Sequence, residues 1–372
     1  MLYRSFFILF VCFQLCAQNV FIPDANLKAY CVSILDLNHD GEISLTEAAE
    51  PDLNMECGNK GITDMTGIEA FTGLRYLSCQ RNQITSLPDL SGLTTLVELD
   101  CWDNQLTSLP NLPTSMRWLY CEINQLTNLP DLSGLVVLEE LECYANQLTS
   151  LPNLPVSLLL LDFSDNQFSN FPDITQLSNL EDLRCGSNRL SNLPSLSGFA
   201  NLQLLHCNDN QLTSLPDLSS LASFRELVCS SNQLSSLPDL PATMIYLHCQ
   251  GNQLGSLPEL AGMTSLDVLY CDSNRLTSLP ELPTSVRYIY CQNNQLSSLP
   301  ALPGGLVGFK CGFNLLTEAS CPALVGYDAG NYTQGNLLPV LNPQLPLWPQ
   351  TTAALSLVAT VNQETYLLVC GQ

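Results

Sequence analysis

One asparagine constrains the whole chain. It recurs as Asn82, Asn104, Asn124, Asn146, Asn166, Asn188, Asn210, Asn232, Asn252, Asn274, Asn294 and Asn314, always after a step of 20 or 22 residues. A period that short holds one small supersecondary unit, which cannot bury its apolar face alone and must be covered by the next copy. The chain is therefore a stack of repeats, and its 372 residues are no guide to a count of ordinary globular domains. Around each asparagine the frame reads L-x-x-L-x-C-x-x-N-x-L, as in Leu96, Leu99, Cys101, Asn104 and Leu106, and continues with L-P-x-L.

The alternating L-x-C segment predicts a short strand with Leu99 and Cys101 pointing inward, and successive strands stacking as one parallel sheet. The return segments carry Pro88, Pro110, Pro130 and their equivalents. Proline excludes a helix interior, so the returns are expected to be extended or polyproline-like, with short 3₁₀ turns. The pattern resembles the leucine-rich repeat from Ile62 to about Leu316, with an earlier partial rung that carries Cys57 and has Lys60 in the asparagine place. That resemblance implies a right-handed repeat solenoid with a parallel β-sheet on its concave face. The 20-residue form resembles the short repeats of bacterial effector-type leucine-rich proteins, and the 22-residue form inserts a DLSGL segment. The expected organisation is a signal peptide over 1–17, a helix-loop-helix cap over 18–52, the solenoid over 53–316, and a C-terminal cap or tail over 317–372.

Twelve of the seventeen cysteines, from Cys57 to Cys311, occupy one column of the frame, and Phe163 fills the only gap. A column that accepts phenylalanine is an apolar packing column, in which cysteine serves as a small buried hydrophobe. Neighbouring strands lie ~4.8 Å apart, farther than the ~3.8 Å between Cβ atoms that a disulfide prefers, so the column is expected to hold thiols. Metal ligation needs convergent ligands rather than a stacked row. Cys31, Cys321 and Cys370 stand outside the column and stay open. The asparagine column is read as structural, each amide satisfying backbone groups where the strand turns outward.

Acids outnumber bases 35 to 12, and the net charge of -23 repels nucleic-acid phosphates and anionic lipid surfaces. Met1 to Ala17 has one basic residue, Arg4, then the run FFILFVCF, with Leu15 and Ala17 spaced for signal peptidase. This predicts export, to the secreted or cell-surface compartment. The apolar run falls short of the ~20 residues a transmembrane span needs.

Before the repeats, Asp36 to Glu47 reads DLNHDGEISLTE and resembles the EF-hand calcium loop. In that template Asp36, Asn38 and Asp40 offer side-chain oxygens, Gly41 takes the sharp turn, Glu42 offers its carbonyl, and Glu47 closes the shell. Structural calcium is the cofactor expected; the competing reading makes Ser44 and Glu47 a capping box and the acids a solvated turn. Asp24 is the expected N-cap of the preceding helix. The segment also resembles helix-loop modules that precede leucine-rich arrays in some exported bacterial proteins, which implies a cap over the first rung.

Side chains between the inward columns face the concave surface. One end gathers Tyr76, Trp102, Trp118, Tyr120 and Tyr144 among Glu98, Asp100, Glu122, Glu140, Glu142, Asp162 and Asp182. Farther on come His206, Tyr246, His248, Tyr270, Tyr288 and Tyr290. Exposed aromatics are typical anchors of recognition surfaces, although cross-strand stacking alone also places them on a sheet. No serine, histidine and acid converge by spacing, and no glycine-rich phosphate loop is present, so an enzyme is not expected. The sequence points to a non-enzymatic recognition protein for a protein or peptide ligand; a carbohydrate-binding adhesin and a structural surface protein are the alternatives. After Leu316 the phase is lost, and the runs ALSLVATV and TYLLVC resemble a hairpin, either a cap or part of a secretion or anchoring domain.

Overall fold

The computed structural model describes residues 18–316 and the strand pair Leu355–Val361 and Glu364–Cys370. The expected export signal, and Cys321 with the proline-dense stretch around it, lie outside the described residues. Thirteen strands, from Leu53–Glu56 to Gly308–Lys310, form one parallel sheet in strict chain order. From Glu98–Asp100 onward each strand is three residues long, and the register steps by one repeat, Leu99 pairing with Leu77 on one side and Leu119 on the other. Strand centres such as Leu99, Leu119, Leu141 and Leu183 are wholly buried while their flanking residues are half-exposed, which is the alternation that the L-x-C frame predicts.

From Pro88 onward the return in each repeat is short and carries proline, and it holds no α-helix. It runs without regular structure through tight turns, such as Leu93 N–H to Leu90 carbonyl and Leu96 N–H to Leu93 carbonyl. A single 3₁₀ helix, Ile68–Ala70, occurs among the described residues. The cysteine column is buried throughout, and Cys57 to Cys291 are free thiols, as is Cys31 of the cap. Phe163 takes the same place at zero exposure and packs on Phe168, ring centroids 4.8 Å apart, where the same rung has phenylalanine in place of the leucine that follows the asparagine.

The asparagines act as the ladder's rivets. Asn104 donates from Nδ2 to the carbonyls of Cys101 on its own rung and Cys79 on the one before, and its Oδ1 accepts from Ile84 N–H. The same three-way bond recurs through Asn314, so one side chain satisfies backbone groups that the outward turn leaves open. The residue just before each asparagine is held at positive φ, which suits Asp103, Asp165 and Asp209 and is unusual for the β-branched Ile123 at +53°.

Two helices precede the solenoid: α1, Ala25–Leu35, buries Leu27, Cys31 and Leu35, and α2, Leu45–Ala48, follows the acidic loop. Asp24 caps α1 through Asn26 and Leu27 N–H, and its other oxygen accepts from Thr63 N–H and hydroxyl, tying the cap to the first rung. Tyr30 Oη accepts the N–H of Glu56 on the first strand, a donor that an uncovered sheet edge would leave open. The cap closes so tightly on the solenoid that a Cβ at Gly73 would sit 1.8 Å from the Glu50 carbonyl oxygen. In the tail, Leu355–Val361 and Glu364–Cys370 form an antiparallel pair, Val361 pairing with Glu364.

Candidate functional site: the concave face

Three columns of side chains cross the exposed sheet face: the first and third residues of each strand, and the residue after each cysteine. Toward the N-terminal end these columns are acidic and aromatic together. Trp118 and Tyr120 are the first and third residues of one strand, flanked in the same columns by Glu98 and Glu140, and by Asp100 and Glu142. Trp102, Glu122 and Tyr144 follow the cysteines of three successive rungs. The four aromatics therefore spread across the face, since Trp118 stands four residues, ~13 Å of extended chain, before Glu122 in the column of Trp102 and Tyr144.

Both tryptophans already carry a cation. Arg81 lies over Trp102 at 4.4 Å and Arg117 over Trp118 at 5.0 Å, with Arg117 also paired to Glu139 at 2.6 Å. Arg75 lies over Tyr76 at 5.7 Å. Sequence reasoning missed these arginines, although all three sit at fixed offsets from an aromatic: one residue before Tyr76 and Trp118, and 21 before Trp102, one repeat back. Tyr120 donates its hydroxyl to Glu140 at 2.8 Å, and burial together with that bond holds its proton more firmly than usual.

The acids here are unusual in being desolvated. Burial first, then neighbouring carboxylates, raises Glu98 and Glu142 above the ordinary carboxylate range. Burial also raises Asp100 and Asp162, against hydrogen bonds to Ser78 and Ser164 that pull the other way. Glu122 is raised farthest, to about 8, chiefly by desolvation. Arg184 is the cation among them, bonded through two nitrogens to Asp182 at 3.1 and 2.7 Å.

The C-terminal half of the face is an aromatic ladder. His248 stacks on Tyr270 at 4.5 Å, Tyr270 meets Tyr290 at 4.6 Å with a 54° tilt, and Lys310 lies 4.6 Å over Tyr290. Burial lowers the affinity of His248 for a proton. His206 is bonded to Glu226 at 2.9 Å, and Val228 separates it from His248. Tyr246 and Tyr288 lie in the other strand column, Tyr246 exposed at 38% and Tyr288 beneath Arg287 at 5.9 Å. A depression of about 510 Å³ at the first rungs is lined by Glu56, Asn59, Arg81, Glu98 and Asp100 among others.

In the acidic loop of the cap, Asp36 accepts from Asp40 and Gly41 N–H, Asn38 from Asp40 N–H, and Asp40 from Glu42 N–H. Gly41 has φ +82°, the turn the calcium template assigns to it. Glu47 is buried and gathers the N–H groups of Leu37 and Ser44, completing the capping box with Ser44 and keeping its carboxyl below its usual range. The carboxylate of Glu42 pairs with Lys28 at 2.6 Å. The bonds Val20 N–H to Ile43 carbonyl and Leu45 N–H to Gln18 carbonyl fasten the loop from outside. Among the described residues no group of three or more His, Cys, Asp or Glu side chains converges as a metal site, and no helix is long and apolar enough to cross a membrane.

A family model for leucine-rich repeats in two copies matches residues 72–114, 200–242 and 243–284. Among solved structures, YopM, a leucine-rich effector protein from Yersinia pestis, is 33% identical, with 66% of this chain and 68% of that one covered and a TM-score of 0.62. The functional domain of InlJ from Listeria monocytogenes, described as including a cysteine ladder, is 27% identical, covers 83% of this chain and 79% of its own, and has a TM-score of 0.58. A chain from the octameric complex of Latrophilin 3, Unc5D and the FLRT2 leucine-rich repeats is 26% identical, with 71% and 92% covered and a TM-score of 0.58. No curated protein matches the sequence. The chain belongs to the leucine-rich-repeat family, and its likeness to the Yersinia and Listeria proteins makes it one of bacterial type.

Proposed function

We propose that this chain is an exported, non-enzymatic recognition protein that binds a protein or peptide partner through its concave face. The observation that carries this reading is the mixture on that face: half-buried aromatics set among charges, the pattern of a protein-binding surface. A glycan platform needs free, coplanar ring faces. Here the rings of Tyr270 and Tyr290 are tilted against each other, and Arg81 and Arg117 cover faces of Trp102 and Trp118. The structural likeness to a chain from a complex of several different proteins supports the same reading.

The test begins with a partner captured from cell-surface and secreted proteins and then purified. Trp118→Ala should weaken its binding about 30-fold, ~2 kcal/mol, as loss of an interface anchor does. The melting temperature should fall only slightly, because the variant gives up little more than a surface cation–π contact worth ~0.5–1 kcal/mol. A variant that binds as tightly as wild type, or selective retention of glycans in place of any protein, speaks against the reading.

Calcium at the cap is the second part of the proposal. The donor types of Asp36, Asn38, Asp40, the Glu42 carbonyl and Glu47 fit a hard cation, and the loop turns at Gly41. A capping box does not compete with this, because the Ser44 and Glu47 bonds hold Glu47 at the loop's closing position. Preferential binding to the folded form stabilises it by ~1.4 kcal/mol at ten times the dissociation constant. Melting curves in millimolar calcium and in chelator should therefore differ for wild type and coincide for Asp36→Ala. Coincident wild-type curves would leave only the capping box.

A further inference from the structure

Glu122 is buried to 6% exposure, and its Oε2 has no hydrogen-bond donor among the described residues. A carboxylate in that state is costly unless a donor or a counter-charge reaches it. The charges that act on it most strongly are of its own sign: Asp100 from the preceding rung, Glu142 from the next and Asp162 from the one beyond. The chain's own nearby cations already have partners, and the one among these acids, Arg184, acts on Glu142 and Asp162. Arg81 lies over Trp102 and 3.9 Å from Asp103, Arg117 pairs with Glu139, and Arg184 is held by Asp182.

Resting on the protein-binding reading of the concave face, we propose that Asp100, Glu122, Glu142 and Asp162 form a binding site for the guanidinium or ammonium group of a basic partner segment, seated between the rungs of Trp102 and Tyr144. Such a side chain supplies the donor that Glu122 lacks and the positive charge that the other three share. A guanidinium also offers a flat face to an aromatic ring, as Arg81 does to Trp102 within the protein itself. Anions are repelled, and a neutral hydroxyl brings a donor without the charge.

The site is coupled to protons. Asp100, Glu142 and Asp162 act on Glu122 from the neighbouring rungs; Glu98, Glu140, Tyr144 and the cation Arg184 belong to the same cluster of columns, and Tyr120 lies on its own rung. The thiols of Cys101, Cys121 and Cys143 in the column beneath are raised well above 9.0 and stay neutral. Glu122, raised to about 8, carries a proton at neutral pH in the free protein. A bound cation favours the charged form and expels that proton, so affinity rises with pH until about 8 and then levels. For one proton the limit is about tenfold per pH unit.

The test titrates a fluorescein-labelled octa-arginine peptide into the full chain at pH 6.5 and 8.5, with an octa-glutamine peptide as the neutral control. Wild type should bind the arginine peptide about tenfold more tightly at pH 8.5. Glu122→Gln should weaken binding about fivefold or more at pH 8.5 and flatten most of the pH dependence. Glu281→Gln, the same substitution on an exposed return, should alter neither. Equal behaviour of the two variants would mean diffuse attraction to a chain of net charge -23 and would overturn the site, as would displacement of the peptide by micromolar calcium. If the peptide result fails while the purified partner still depends on Trp118, this site falls alone; if both fail, the recognition reading falls with it.

Discussion

Replacing Asn188 by alanine should lower the unfolding free energy by about 3 kcal/mol, more than an ordinary buried polar substitution. Asn188 is 8% exposed and sits in the middle of the stack. Its Oδ1 accepts the buried Phe168 N–H, and its Nδ2 donates to the carbonyls of Phe163, Cys185 and Gly186. The losses are unequal. Phe163 keeps a donor in Asn166 and Cys185 keeps one in Asn210, whereas the Phe168 N–H has no second acceptor among the bonds of the ladder. An orphaned buried donor costs about 1–3 kcal/mol, and the other weakened bonds add to it. Asn188→Asp should be no milder, because a carboxylate can accept from Phe168 but faces two or three carbonyl oxygens without a proton to give them. Urea denaturation followed by circular dichroism measures the change. A loss below about 1 kcal/mol would mean that water enters and replaces the amide.

The thiol column should be nearly silent in the native protein. Burial pushes Cys207 and Cys249 up to about 12 and Cys185 and Cys229 well above 9.0. Three pH units mean about a thousandfold less thiolate, and a buried thiol is also shielded from reagent. Alkylation at pH 8 should therefore spare the column until denaturant is added, when about a dozen thiols react. The same shift fixes a stability trend. A thiol whose folded value lies above its unfolded value binds its proton more firmly when folded, so its contribution is complete below pH 9 and is lost as pH rises toward 12. Each such thiol steepens that loss by up to about 1.4 kcal/mol per pH unit, and a column of them should make the solenoid melt sharply in alkali. Native alkylation at the denatured rate, or disulfides between rungs in a peptide map, would contradict this.

The repeat frame was legible because it is governed by the chain's own local chemistry. Alternation around Leu99 and Cys101 places those residues inward whatever the returns do, and an amide at Asn104 has only backbone groups within reach. Proline in every return from Pro88 onward rules out the helices that many longer repeats use. The cap was legible in part. Asp24 could be read as an N-cap, but its second oxygen bonds Thr63, 39 residues away, and no local pattern signals that contact. The bond from Val20 to Ile43 is hidden for the same reason.

The concave face was legible as an inventory of residues. What they do there depends on rotamers and on neighbours one repeat away. Trp118 and Glu122 belong to one short stretch of sequence, yet Trp118 is covered by the adjacent Arg117, and Glu122 is sunk between rungs without a donor. Nothing in the stretch WLYCE separates a half-exposed glutamate, such as Glu142, from a buried one.

Hydroxyl-radical footprinting of the full chain, free and saturated with its purified partner, tests whether the concave face is the working surface. Binding should protect Tyr120, Tyr144, Tyr246 and Tyr290, with exposed return residues such as Val136 and Val156 oxidised as before. Protection confined to the returns, with the concave aromatics unchanged, would contradict it.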